Sequence, residues 1–264
     1  MTVTLTYDAT LARVRISAAD TFTAAYIKIE RSINGIQWTT VRGAAAIVPS
    51  ASAAKIDDYE FVPSVANQYR SRAYSAVDVL LGTESASITP TIDRVWLKSV
   101  TRPFLNMQVT VQDYTAIGRA SRAGLFSIPG RSFPIRVGDS ASSRSWSTTV
   151  LTYTDSEARS LEYLVASGDT VYAQVPPGYD IPGGFVGLGD MEMSRVSRAL
   201  SDVRRLFTLP MTEVAAPAAT VVGYTATWDG LIADFGTWAD VLAAFPTWAD
   251  VLEYVSDPSV VIVP

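Results

Sequence analysis

Between residues 12 and 73, side chains of like character recur at every second position, the period of a strand rather than a helix. In LARVRIS, Ala12, Val14 and Ile16 alternate with Arg13 and Arg15. In YIKIERS, Ile27 and Ile29 alternate with Lys28 and Glu30. In NQYRSRAYS, Arg70 and Arg72 take one face, and Tyr69, Ser71 and Ala73 the other. Segments of this kind bury one face and wet the other, the habit of antiparallel sheets. Asn34-Gly35 supplies residues that accept positive φ, which predicts a tight hairpin turn. Its return strand carries Ile36, Trp38 and Thr40 on one face. About seven such strands fit before Asp93, which predicts a β-sandwich over residues 1–92. Within it, Val79, Leu80 and Leu81 are expected in the core, with a contact patch as the other reading.

Residues 93–215 have a different texture and are expected to form a second, β-rich domain with one helix. It opens on VWLKSVTRPFLNMQVTV and runs through GLFSIPGRSFPIRVGDS and WSTTVLTYT. In DSEARSLEYLVASG, Ala158, Leu161, Leu164 and Val165 share one helical face. Asp155 is the expected N-cap, and Gly168 stands where the helix stops. GGFVGLGD at 183–190 matches no phosphate-binding glycine motif and reads as a loop.

Residues 216–264 form a linker followed by a ten-residue repeat. TWADVLAAFP and TWADVLEYVS follow a looser copy, TWDGLIADFG. In the middle copy Thr237 can cap a helix, and Asp240 stands at the capping-box position. Trp238, Val241, Leu242 and Phe245 then lie at i, i+3, i+4 and i+7, on one face, and Pro246 blocks continuation. Trp228 and Phe235 belong to the first copy, and Trp248, Leu252 and Tyr254 to the last. A helix of two turns does not persist alone in water. Burial of its apolar face is comparable to the entropy lost on ordering ten residues, so each unit needs a ready surface. That surface is either the same chain, with the tail as a lid, or a neighbouring subunit, with the tail as a strap. The long linker and the run of equivalent anchors favour the strap.

Charge points the same way. Net charge is −5, which argues against nucleic acid as a partner. Residues 206–264 hold seven acids and no Lys or Arg, leaving 21 cations against 19 acids, about +2, in the rest of the chain. No apolar run approaches the length of a membrane span, so no membrane insertion is expected. The opening MTVTLTYDAT has neither the basic nor the apolar region of a secretory signal.

Enzymatic chemistry finds little foothold. The sequence has no cysteine and no histidine, which removes thiolate catalysis and any serine–histidine pair. Ser140 in VGDS is therefore a turn residue. Asp57, Asp58 and Glu60 lack the ligand spacing of a calcium loop. Asp190 and Glu192, two apart, carry nothing that marks them as a glycosidase pair. Arg195, Arg198, Arg204 and Arg205 form a basic stretch that suits acidic neighbours or water equally. No enzyme, cofactor or metal is expected. Trp38, Trp96 and Trp146 are the natural platforms if the sandwich binds sugars instead, with core burial the commoner fate of each.

Two resemblances sharpen these expectations. On ERSINGIQWTTVRG and on Tyr69, placed where that family keeps its corner tyrosine, residues 1–92 resemble a fibronectin type III domain. On VWLKSVTRPFLN, GRSFPIRVGD, SLEYLVASGDTVYAQVP, RRLFTLPMTEV and the Thr-Trp repeat, residues 90–264 resemble minor tail proteins of actinobacteria-infecting siphophages. Those proteins are related in fold to distal tail proteins. The resemblance implies a structural virion protein at the tail tip, assembled in the host cytoplasm. It implies a homo-oligomeric ring linking tail tube protein to hub or other baseplate proteins. Six copies match tube symmetry and three a tip below it. The alternative is a carbohydrate-binding or adhesive module that meets a host cell-surface glycan.

Overall fold

The computed structural model describes residues 1–20, 22–49, 52–219 and 235–245. The protein is mainly β: 44% of it is strand, in several sheets and a barrel, with two short helices among the described residues. Two compact units are present. The first contains residues 1–108, 172–183 and the described part of 217–264; the second contains 109–171 and 184–216.

In the first unit, β1 (Thr2–Asp8), β2 (Arg13–Ala19) and β5 (Ala53–Asp58) form an antiparallel sheet in the order β1-β2-β5. A second antiparallel sheet runs β4-β3-β6-β7. Its strands are β3 (Tyr26–Ser32), β4 (Thr39–Thr40), β6 (Asn67–Tyr74) and β7 (Leu80–Ile88). The expected alternation is the reason they pack. Ala12, Val14 and Ile16 from one sheet and Ile27, Ile29, Tyr69 and Ala73 from the other enter one core, closed by Phe61 and Trp96. On the outer face of β6, Arg70 and Arg72 reach the Glu30 carboxylate of β3, with Arg70 Nε at 2.7 Å across directly paired residues. Next to these sheets, β8 (Val95–Ser99) lies beside β14 (Val171–Gln174).

The hairpin after β3 departs from expectation. Gly35 does take positive φ, +72°, but Asn34 does not, so the two-residue turn with both central residues left-handed never forms. Asn34 Oδ1 instead accepts from the backbone N–H of Ile36 and Gln37, and Ser32 Oγ accepts from Gly35. Residues 33–38 become a loop, Ile36 is exposed, and the return strand shrinks to Thr39–Thr40. Val79, Leu80 and Leu81 are likewise exposed rather than in the core.

In the second unit β13 (Arg144–Thr152) is central. It pairs with β9 (Met107–Tyr114) through a bulge at Thr149/Val150, and along its whole length with β17 (Arg205–Glu213). β17 also receives β15 (Gly184–Leu188) and β16 (Glu192–Arg195). Phe207, Leu209 and Met211 alternate inward from β17. The segment expected as a glycine loop at 183–190 is therefore a strand in its middle. Gly183 and Gly189 at its ends serve close approach: a Cβ on Gly189 would lie 3.2 Å from Pro210 Cβ, and one on Gly183 3.1 Å from the Ala173 carbonyl oxygen.

Helix α1 (Asp155–Ala166) covers this unit with Ala158, Leu161 and Leu164 buried. The N-cap is Thr154, one residue before the expected Asp155. Thr154 Oγ1 accepts from Glu157 N at 3.1 Å, and Glu157 Oε2 accepts from Tyr153 N at 2.7 Å. Gly168, with φ +68°, donates back to the Val165 carbonyl and ends the helix.

Candidate interaction surfaces

The middle Thr-Trp repeat is described and is helical. Helix α2 (Trp238–Ala244) begins at Thr237, whose Oγ1 accepts from Asp240 N. Asp240 reaches back as its spacing predicts, but to the Thr237 hydroxyl at 2.5 Å rather than to the backbone N–H. That N–H donates instead to the Phe235 carbonyl, because Gly236, at φ +72°, turns the chain there. Val241 and Phe245 are buried, and Phe235 packs edge-on against Phe245 with ring centroids 5.2 Å apart. The four-residue face is thus divided. Trp238 is 44% and Leu242 68% exposed, so the helix hides half of its apolar face and presents the other half. Trp228, Trp248, Leu252 and Tyr254 lie outside the described residues.

A second surface went unnoticed in the sequence. Residues 118–144 form a long hairpin arm. It starts with β10 (Gly118–Arg119) against the first residues of β13, is carried on by Ser142 N to Ala120 O and Asp139 N to Arg122 O, and continues in β11 (Ala123–Phe126) and β12 (Ile135–Gly138). A turn with Arg131 N bonded to Ile128 O stands near its tip. In antiparallel pairs, directly opposed residues share a face. Phe126 opposes Ile135 and Gly124 opposes Val137, so one face is wholly apolar. The Phe126 ring lies over Gly124, where an added Cβ would come within 2.9 Å of it. The other face pairs Leu125 with Arg136.

Both faces are open. Leu125 is 68%, Phe126 58%, Val137 60% and the loop residue Phe133 83% exposed. The same stretch carries Arg119, Arg122, Arg131 and Arg136, with Arg144 at its end, against one acid, Asp139. A free two-stranded ribbon is marginal in water, and exposed apolar surface of this extent marks a site of association.

The ionisable residues of the first unit form a structural network. Asp57 accepts from Arg13 and Arg15, Asp58 from Arg31 and from the Tyr69 hydroxyl at 2.8 Å, and Glu60 from Arg42. The three acids weighed as a calcium cluster are therefore each held by a guanidinium. Burial pushes the phenols of Tyr69 and Tyr59 up, and Tyr172 to about 12. Lys98 is buried, and its Nζ donates to the carbonyls of Ala12 (2.5 Å) and Tyr59 (2.8 Å) and to Gln174 Oε1 (2.6 Å). Ala12 takes a left-handed φ of 45° at the position whose carbonyl meets that ammonium. Burial lowers the Lys98 pKa well below its ordinary value, against the pull of Asp58 and Glu60. Three acceptors surround Nζ and tie it into the core of the first unit.

Of the tryptophans weighed as sugar platforms, Trp96 and Trp146 are buried. Trp38 is half-buried, with the Arg70 guanidinium 4.2 Å above its ring. Ser140 sits exposed just past β12, its N–H donating to Asp139. Asp190 and Glu192 are exposed at the start of β16.

The fold defines a mainly β protein with an open apolar arm. No protein-family model matches the chain, and no curated protein matches it.

Proposed function

We propose that this chain is a structural, non-enzymatic virion protein of a long flexible phage tail. On this reading it is a minor or distal tail protein that assembles into a ring at the tail tip and links tube to hub. The observation that carries the reading is the arm, whose apolar face of Phe126, Ile135 and Val137 stands open to solvent. Such a surface is stable in a soluble particle only when another chain covers it. The first unit's two antiparallel sheets, β1-β2-β5 and β4-β3-β6-β7, support reading it as a fibronectin type III-like sandwich. The exposed half of the α2 face adds a second open contact.

Electron microscopy of the purified full-length protein tests this directly. Closed rings are expected, six copies for a ring stacked on the tube and three for one below it. A protein that remains a single copy at every concentration refutes the reading.

A further inference from the structure

Resting on that assembly reading, we propose that the hairpin arm of one copy receives the acidic Thr-Trp segment of a second copy of this chain. The two surfaces are complementary in charge and in kind. The arm sets Arg122, Arg131 and Arg136 around an apolar face. None of the three forms an ion pair among the described residues. The segment 227–255 sets Asp240, Asp250 and Glu253 among tryptophans and aliphatics, and no cation occurs anywhere from residue 206 onward. Opposite patches of this kind steer association and fix its register.

The assembly reading makes this a contact between copies. Trp238 and Leu242 on α2 and Leu125, Phe126 and Phe133 on the arm are all exposed in the single chain. On the assembly reading each copy carries one donor segment and one receiving arm. A contact between unlike surfaces repeats from copy to copy and closes into a ring when the rotation allows. The arm therefore supplies the receiving surface that a strap requires.

The test uses the full-length chain and three variants: Arg131→Glu with Arg136→Glu, Asp250→Arg with Glu253→Arg, and the four changes combined. These side chains are charged, and the two arginines lie on the exposed arm, so the fold of the sheets should persist. Sedimentation equilibrium should show self-association weakened about tenfold by either pair of reversals, the loss expected for two screened ion pairs, and regained when the pairs are combined. High salt should weaken the parent protein in the same direction. A photo-crosslinking residue at Phe133, in a mixture of isotopically light and heavy chains, should give hybrid peptides joining 118–144 to 227–255.

Assembly that ignores both reversals, or cross-links from Phe133 to other segments, overturns this inference and leaves ring formation standing. Cross-links confined to single chains overturn it by showing that the tail closes on its own arm. A parent protein that never associates overturns both this inference and the assembly reading.

Discussion

Replacing Lys98 by Met separates what a buried ammonium contributes from what its hydrocarbon stem contributes. Met keeps an unbranched apolar stem but removes the ammonium that stands 4.8 Å from the Phe61 ring and 5.8 Å from the Trp96 ring, and with it the three N–H donors. Three buried oxygens, on Ala12, Tyr59 and Gln174, then lose this partner. An orphaned buried acceptor costs about 1–3 kcal/mol. Against that stands relief from keeping an ammonium out of water, itself several kcal/mol in proteins. Net destabilisation should be about 3 kcal/mol, because the geometry satisfies every Lys98 proton. In urea this moves the midpoint down by roughly 1 M with little change in slope. The pH dependence gives a second readout. Since burial lowers the folded pKa below the ordinary 10.5, the unfolded chain binds that proton more tightly. Stability of the parent therefore rises with pH toward 10.5, and Lys98→Met loses that slope. A variant as stable as the parent, with an unchanged slope, refutes the claim that the ammonium organises this core.

Four further outcomes follow from the hydrogen bonds and burial. Tyr69→Phe removes the donor to Asp58 but leaves Arg31 on that carboxylate, so it should cost about 1–2 kcal/mol by thermal unfolding. The raised phenols of Tyr59, Tyr69 and Tyr172 contribute stability below pH 10 that is lost as pH climbs above it, and tyrosinate absorbance should rise together with unfolding. In acid, Glu213 is held down to about 2 by the hydrogen bonds of Arg144, so its contribution fades as pH falls from the ordinary carboxylate range toward 2. Arg144→Met should flatten that acid limb in a pH series of denaturation midpoints. Thr154→Ala should cost about 1 kcal/mol and reduce helical circular dichroism, since it deletes the cap of α1.

Where one face of a strand is buried, period-two alternation shows in the sequence, and the strands of the first unit followed it closely. Ala12, Val14 and Ile16 point inward as their spacing requires. The pattern says nothing about which acid meets which base. Arg13 alternates outward by period yet is buried, because Asp57, 44 residues away, sits across the sheet to receive it. Turns were legible only in part. Asn34-Gly35 marks a reversal of direction, but the Ser32 and Asn34 side chains offer the backbone better partners than a two-residue turn would. The GGFVGLGD segment misleads for the opposite reason: glycine usually weakens a strand, and here Gly189 admits the close approach of the Pro210 ring.

The arm shows a deeper limit of reading apolar residues alone. GLFSIPGRSFPIRVG looks, by hydropathy, like any strand pair destined for the core of its domain. Core and interface draw on the same side chains, since both exclude water, and only the chain that covers them differs. What distinguishes the arm is its surroundings in sequence. Arg119, Arg122, Arg131 and Arg136, the Pro-Gly at 129–130 and the serine-rich run after Asp139 keep the segment wettable on its rim. Apolar strands with a cationic, serine-rich border describe an interface core with a polar rim. The acidic repeat near the other end of the chain has the same make-up with the sign reversed. Under the proposed assembly, two such segments on one chain would let copies identical in sequence add to one another in a fixed direction.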